Sequence, residues 1–233
     1  MGEYHFRQKD YYQAVSYYEK TTVEHLSNKE VADLKFHQGY SYFNLQRFAE
    51  AKPLLDAVRQ IPDNPNYAAA NYYYGFIAFQ DKQYNEALKS FMVVEKDEEY
   101  GQVVPYYIAT IYYINGDQEK ALTYAEDKLK TRSGLYDTEL RKLVGHGWFE
   151  KGDYQKALPY LEAYAAKAPS LSRQDLYELS YSYYHTGKYE KSIDGFKQLS
   201  GKEDSLAQNA MYLLGDAYLK TGQKTNARNA FLF

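Results

Sequence analysis

The chain has 233 residues, no cysteine, and a formal net charge of −3 from 28 basic and 31 acidic residues. The absence of cysteine excludes disulfides and thiolate metal sites, and the mixed charge gives no reason to expect a nucleic-acid partner. The longest apolar runs are too short to span a bilayer, and no secretory signal is recognisable in the sequence.

A small residue returns about every 35 residues, and a period of this length predicts a stack of similar helical repeats. These second-helix small residues are Ala14, Ala51, Ala87, Ala121, Ala157, Ser192 and Ala227. A second small residue, here called the first-helix small residue, lies twelve positions before each of the last six. These residues are Gly39, Gly75, Ala109, Gly145, Ser180 and Gly215. Small residues at both places allow two helix backbones to approach closely, which predicts a helical hairpin in each repeat.

In chain order, a partial repeat occupies residues 3–31, and full repeats follow at 32–67, 68–101, 102–137, 138–172 and 173–207. An incomplete repeat occupies residues 208–233. A glycine after the first helix should supply the left-handed residue that ends it, at Gly116, Gly152, Gly187 and Gly222. Gln46-Arg47 and Lys82-Gln83 replace this glycine in two repeats, where we expect slight backbone strain.

This pattern of small and large residues resembles the tetratricopeptide repeat, whose period is 34 residues. The resemblance covers nearly the whole chain and implies an all-α, right-handed solenoid of antiparallel helix pairs, continuous over residues 1–233. The chain opens and closes inside a repeat, so we expect it to be a piece of a longer protein, with Met1-Gly2 added to it. Self-association is expected through uncovered ends such as Phe231 and Phe233.

In this family the first helix of each repeat lines a concave groove, so the resemblance also implies which side chains meet a partner. The lining positions lie three before, one after and four after the first-helix small residue, and they share one face of the helix. Thirteen of the eighteen residues at these positions are aromatic. With two neighbouring amides, the predicted site, here called the first-helix face, consists of Phe36, Tyr40, Asn44, Tyr72, Phe76, Gln80, Tyr106, Tyr113, Lys142, His146, Tyr177, Tyr181, Tyr184 and Tyr212.

The sequence leaves two interpretations of these rings open. They could form an exposed aromatic groove, or they could pack between adjacent repeats, above all Phe43, Phe79 and Phe149. Three polar residues, Lys142, His146 and Glu150, interrupt the row of aromatic residues in one repeat, and their role also has two possible interpretations. They could anchor a charged group of a ligand or form a solvated patch, and we favour the solvated patch.

The leading functional hypothesis is a non-catalytic scaffold that holds a protein or peptide partner in the groove, with no cofactor and no metal. No arrangement of residues typical of catalysis or zinc binding is recognisable. The alternative is a glycan- or peptidoglycan-binding module of the bacterial cell envelope, and a similarity in composition favours the periplasm or envelope over the cytoplasm. A third hypothesis is that the repeats space or pair a catalytic domain elsewhere. A peptide would bond to Asn44 and Gln80, whereas sugars would need rings exposed in coplanar pairs.

Overall fold

The computed structural model describes residues 1–131, 134–201 and 204–232. Across these ranges the secondary structure consists of fourteen α-helices and one short 3-10 helix, without a β-strand, so the predicted all-α helical-repeat class is confirmed. The chain forms two compact units, an N-terminal unit of Met1–Ile111 and a C-terminal unit of Tyr112–Phe233. The continuous solenoid expected over the whole chain stays a prediction.

The N-terminal unit is built from helices that pair as hairpins. Its elements are α1 (Gly2–Arg7), α2 (Tyr11–Tyr18), α3 (Asn28–Asn44), α4 (Phe48–Val58), α5 (Tyr67–Gln80), α6 (Tyr84–Val93), the 3-10 helix Tyr100–Gln102 and the start of α7 (Val104–Ile114). α1 packs on α2, α3 on α4 and α5 on α6. α3 begins earlier than the predicted repeat boundary, because Ser27 and Glu30 form a reciprocal capping box at its first turn.

The C-terminal unit continues the same construction. Its further helices are α8 (Gln118–Thr131), α9 (Asp137–Glu150), α10 (Tyr154–Ala165), α11 (Arg173–His185), α12 (Tyr189–Leu199), α13 (Ser205–Lys220) and α14 (Lys224–Phe231). α9 pairs with α10, α11 with α12 and α13 with α14, and neighbouring hairpins meet through α8 and α9, α10 and α11, and α12 and α13. Among the described helices, none is both long and apolar enough to cross a membrane.

The small residues lie where the two helices of a hairpin touch. All seven second-helix small residues are buried, with at most 1% of their surface exposed. On α9, a Cβ atom added to Gly145 would lie 2.7 Å from a methyl carbon of Leu161 on α10. The predicted close approach of the helices is therefore confirmed.

The turns within hairpins also follow the prediction. Four glycines end first helices with positive φ angles, at Gly116, Gly152, Gly187 and Gly222. Gln46 and Lys82 adopt the same left-handed conformation at φ +58° and +59°, which is strained for a residue with a side chain. Lys9 does so as well, at the corresponding turn between α1 and α2.

The last helix ends in exposed apolar side chains. Phe231 is 46% exposed and Leu232 75% exposed. Phe233 lies outside the described residues. The self-association expected from this end stays a prediction.

A polar contact recurs between the second helix of one repeat and the first helix of the next. An aromatic residue donates a hydrogen bond to a glutamate of the preceding repeat, Tyr42 to Glu19 at 2.6 Å, Trp148 to Glu126 at 2.8 Å, and Tyr183 to Glu162. A cation covers the face of the same ring, Arg47 at 4.5 Å from the centroid of Tyr42, Lys156 at 4.2 Å from Trp148, and Lys191 at 5.1 Å from Tyr183. Each such junction thus combines an aromatic ring, a carboxylate and a cation.

Candidate functional site

The N-terminal unit holds half of the predicted first-helix face, on α3, α5 and α7. Tyr40, Tyr72, Phe76 and Tyr106 are half-buried. Phe36 is buried, at 7% exposure. The two amides, Asn44 and Gln80, are exposed at the C-terminal ends of α3 and α5. This part of the face therefore combines partly covered rings with accessible amides.

The rings of the N-terminal unit contact one another across neighbouring repeats. Tyr40 meets Tyr73 edge to face, with ring centroids 4.9 Å apart, and Phe43 meets Phe76 at 5.5 Å. Tyr72 instead stacks on Tyr100 at 4.6 Å. The packing interpretation is thus confirmed for Phe43, and the rings predicted to meet a partner also join the repeats laterally.

Phe79 and Phe149 pack in the same way. Phe79 lies edge to face with Tyr107 at 5.1 Å in the N-terminal unit, and Phe149 lies edge to face with Tyr181 at 5.5 Å in the C-terminal unit. Both contacts join consecutive first helices, as the packing interpretation expects.

Sequence reasoning missed Tyr73, which is the centre of the ring cluster in the N-terminal unit. It contacts Tyr40, Phe43, Tyr72 and Tyr100. Burial and a hydrogen bond with Tyr40 raise the pKa of Tyr73 well above its usual range. The only sequence signal was its place beside Tyr72, one residue away from the predicted face.

The C-terminal unit holds the other predicted residues on α7, α9, α11 and α13. Tyr113, His146, Tyr177, Tyr181 and Tyr184 are half-buried. Lys142 is exposed along its side chain, and Tyr212 is 66% exposed. The phenol groups of Tyr113 and Tyr184 donate to carboxylates of the next first helix, Glu150 and Asp216 respectively. Burial, with the nearby Tyr181, raises the pKa of Tyr177 to about 12.

The polar residues Lys142 and His146, which interrupt the aromatic first-helix face on α9, contact buried carboxylates on α11. His146 Nδ1 lies 2.9 Å from Glu178 Oε1, and Lys142 Nζ lies 2.8 Å from Asp175 Oδ1. Glu178 and Asp175 are only 2% and 7% exposed. Lys142 and His146 keep 46% and 36% of their side chains exposed, and each is also paired with a carboxylate that is shielded from water. The interpretation as a solvated patch stays a prediction.

The charges of these pairs stabilise each other. The hydrogen bond with Glu178 raises the pKa of His146, although burial acts in the opposite direction. Burial would raise the pKa of Asp175, but hydrogen bonds from Lys142 and Ser172 bring it below its usual value. Burial would likewise lower the pKa of Lys142, yet its bond to Asp175 raises it. Both contacts join α9 to α11, and the contact of His146 with Glu178 is an ion pair when the imidazole is protonated.

Asp175 and Glu178 are partners that sequence reasoning missed. Ser172 and Asp175 form a capping box at the start of α11, with reciprocal bonds between side chain and backbone. The pattern Ser-x-x-Asp is visible in the sequence and predicts a helix start, but it does not indicate that Lys142 is bound there. In the described part of the chain, no group of three His, Cys, Asp or Glu residues is placed to hold a metal ion.

The sequence profile of the tetratricopeptide repeat matches residues 1–65, 38–97, 149–200 and 177–232. A search of curated proteins returned no match.

Several solved structures are similar in fold. The C-terminal part of a TPR repeat-containing protein from Cytophaga hutchinsonii shares 15% identity at a TM-score of 0.67, covering 98% of this chain and 91% of its own. A tetratricopeptide repeat protein from Parabacteroides merdae shares 18% identity at a TM-score of 0.59, covering 86% and 77%. YrrB, described as a TPR protein with an unusual peptide-binding site, shares 17% identity at a TM-score of 0.58, covering 88% and 94%.

Proposed function

Because this chain belongs to the tetratricopeptide repeat family, we propose that it is a non-catalytic scaffold whose N-terminal unit binds an extended peptide of a partner protein. Repeats of this family generally act as protein-interaction scaffolds without chemistry of their own, and proteins or peptides are their partners. The peptide site of YrrB, a structure with the same fold, is in line with this class of ligand.

The observation that carries the proposal is the uncharged, preorganised first-helix face of the N-terminal unit. Its rings, Tyr40, Tyr72, Phe76 and Tyr106, are half-buried, so part of each ring is already held by neighbours. Rings that are fixed before binding lose little conformational entropy when a partner covers the remaining surface. Aromatic anchors of this kind usually supply most of the affinity at an interface.

The exposed amides supply the polar part of the same surface. Asn44 and Gln80 occupy the same place in consecutive repeats, five residues after Gly39 and Gly75. Asn44 Nδ2 donates to the carbonyl oxygen of Tyr40 at 2.8 Å, which leaves its Oδ1 to accept from a peptide N–H group. Two amides in equivalent positions suit the repeating donors and acceptors of an extended backbone.

The ring geometry supports a peptide more than a glycan. Sugars stack on open, flat ring faces, whereas Tyr40 and Phe76 meet their neighbours edge to face at 80° and 72°. Tyr72 and Tyr100 are nearly parallel, but they stack on each other and so cover one face of each ring. Ring edges and shallow spaces between them accommodate apolar side chains of a peptide better than they accommodate a pyranose ring.

The test is a binding measurement with a peptide selected by display on the intact chain. We expect the double variant Tyr72→Ala and Tyr106→Ala to lose affinity about tenfold or more, since central aromatic anchors dominate such interfaces. The control is Tyr212→Ala, which removes an exposed ring in the C-terminal unit. Fluorescence anisotropy gives the affinity, and circular dichroism verifies that helicity is unchanged.

Three outcomes would contradict the proposal. The double variant could bind as tightly as the parent chain, which would place the peptide elsewhere. It could unfold while Tyr72→Phe and Tyr106→Phe stay folded, which would assign the rings to the core. Peptidoglycan fragments could bind to the parent chain and fail to bind to the double variant, which would favour a glycan-binding module.

A further inference from the structure

The polar contact that recurs between repeats changes at the junction of α12 with α13. At three other junctions a glutamate stands five residues after the second-helix small residue, as Glu19, Glu126 and Glu162, whereas Asp56 and Met92 stand there in the two repeats between them. Lys197 occupies this place on α12. Asn226 on α14 takes the place that Lys156 and Lys191 hold at the earlier junctions. The aromatic residue is kept, as Tyr218, but α12 has no carboxylate at the position of the glutamate.

A cavity of about 250 Å³ lies at this junction, between α12, α13 and α14. Leu214, Tyr218 and Ala230 are buried and form its floor. The remaining lining residues are the partly covered Met211 and the exposed Lys197, Ser200, Asn226 and Asn229. One water molecule takes up about 30 Å³ in the liquid, so the cavity has room for a group of several heavy atoms.

The lining is suited to an anion. None of the eight lining residues is acidic. The four exposed side chains, Lys197, Ser200, Asn226 and Asn229, can all donate hydrogen bonds. Lys197 Nζ lies 5.7 Å from the centroid of the Tyr218 ring, and in the described ranges it makes no ion pair. At three other junctions the equivalent aromatic group donates to a glutamate, as Trp148 does to Glu126 at 2.8 Å. Here no acidic residue of the described chain receives that bond.

We propose that this cavity, the α12–α14 cavity, binds a carboxylate that is attached to an apolar group. The carboxylate takes the place of the missing glutamate, between Lys197 and the hydroxyl of Tyr218, and the side-chain amide of Asn226 donates to it. The apolar group lies on Met211 and Leu214. Such a ligand would complete the combination of ring, carboxylate and cation that the chain itself forms at three other junctions.

Two sources can supply this chemistry, the C-terminal residue of a partner peptide and a free aliphatic carboxylic acid. The α12–α14 cavity shares no residue with the first-helix face. The peptide proposed for the N-terminal unit and the ligand of this cavity can therefore be tested, and can fail, independently.

The experiment uses three probes on the intact chain. They are a fluorescein-labelled pentapeptide that ends in leucine with a free carboxylate, the same peptide with a C-terminal amide, and free 4-methylpentanoate. Fluorescence anisotropy measures the peptides, and the NMR signals of the Asn226 and Asn229 side-chain amides report occupancy of the cavity by any probe. We expect the free carboxylate to bind about tenfold or more tightly than the amide, as charge-assisted hydrogen bonds dominate such sites.

Two substitutions of Lys197 test whether its positive charge binds the carboxylate. Lys197→Gln should weaken binding of the carboxylate about tenfold and leave the weak binding of the amide unchanged. Lys197→Glu should abolish carboxylate binding, because the new side chain supplies the missing carboxylate from the chain itself. The matched control is Lys220→Gln, an exposed lysine at the end of α13 that does not line the cavity.

The outcomes decide between the sources and the proposal itself. Binding of the peptide acid with loss in both Lys197 variants supports a peptide C-terminus, and equal response to 4-methylpentanoate supports a free acid. The proposal is overturned if acid and amide bind equally, if Lys197→Gln binds like the parent chain, or if no probe shifts the Asn226 and Asn229 signals at millimolar concentration. Circular dichroism and melting curves confirm that each variant is folded.

Discussion

One exchange of residues between two helices offers a quantitative test of the packing. In most repeats a glycine of the first helix faces a larger residue on the second helix. On α3, for example, a Cβ atom added to Gly39 would lie 3.1 Å from the Cβ atom of Leu54 on α4. In the α11–α12 hairpin the sizes are reversed, with Ser180 on α11 and Gly195 on α12. A Cβ added to Gly195 would lie 1.9 Å from Ser180 Oγ and 3.0 Å from Ser180 Cβ. We predict that Gly195→Ala is destabilising and that Ser180→Gly relieves it.

The magnitude follows from opposing contributions. Alanine is favoured over glycine inside a helix by about 1 kcal/mol. Against this, overpacking a close contact costs about 1–3 kcal/mol. The displaced hydroxyl of Ser180 also loses its hydrogen bond to the carbonyl oxygen of Leu176, which is 2.6 Å long and contributes about 1 kcal/mol. The net expectation for Gly195→Ala is a loss of roughly 1–3 kcal/mol in the free energy of unfolding.

The assay is a double-mutant cycle measured by urea denaturation of the intact chain, followed by helical circular dichroism. Ser180→Gly alone removes a hydrogen bond and adds a flexible residue, so it should also be destabilising, by about 1–2 kcal/mol. In the double variant residue 180 has no side-chain atoms that could clash with the new Cβ atom at residue 195. We therefore expect the double variant to be about 2 kcal/mol more stable than the sum of the two single effects. Costs that simply add, within about 0.5 kcal/mol, would refute the reasoning.

Three further predictions concern the hairpins and the ion pairs. Ala157 is 0% exposed at the contact of α9 with α10. Ala157→Leu should therefore lower the free energy of unfolding by about 1–3 kcal/mol. An unchanged melting curve would contradict the assigned helix register. Gln46→Gly should raise stability by up to about 1 kcal/mol, because glycine accepts the φ of +58° without strain, and a lower melting temperature would contradict this. The pKa of His146 is raised by its bond to Glu178, so its contribution to stability is fully present below the unfolded pKa of about 6.5 and is lost as pH rises through the higher folded value. Urea denaturation between mildly acidic and mildly basic pH should therefore show a smaller loss of stability in His146→Gln than in the parent chain, and identical pH profiles would count against the pair.

The sequence alone determined the helical hairpins, their register and their turns. A period near 35 residues, small residues such as Gly145 and Ala157, and turn glycines such as Gly187 are local signals. They suffice because a helix and its tight turn depend on a few consecutive residues, and because only small side chains permit two backbones to approach closely. Even the strained turn at Gln46 could be located, since the neighbouring repeats place glycine there.

The tertiary structure alone decided what each side chain on the first-helix face touches. The sequence could not assign Glu178 to His146 or Asp175 to Lys142, because these partners lie more than thirty residues apart and on different helices. It also could not separate rings that pack between repeats, such as Phe43, from a fully exposed groove. These contacts depend on the rotation and offset of one helix against the next. Those are set jointly by every side chain in the interface, whereas the repeat period depends only on spacing along the chain.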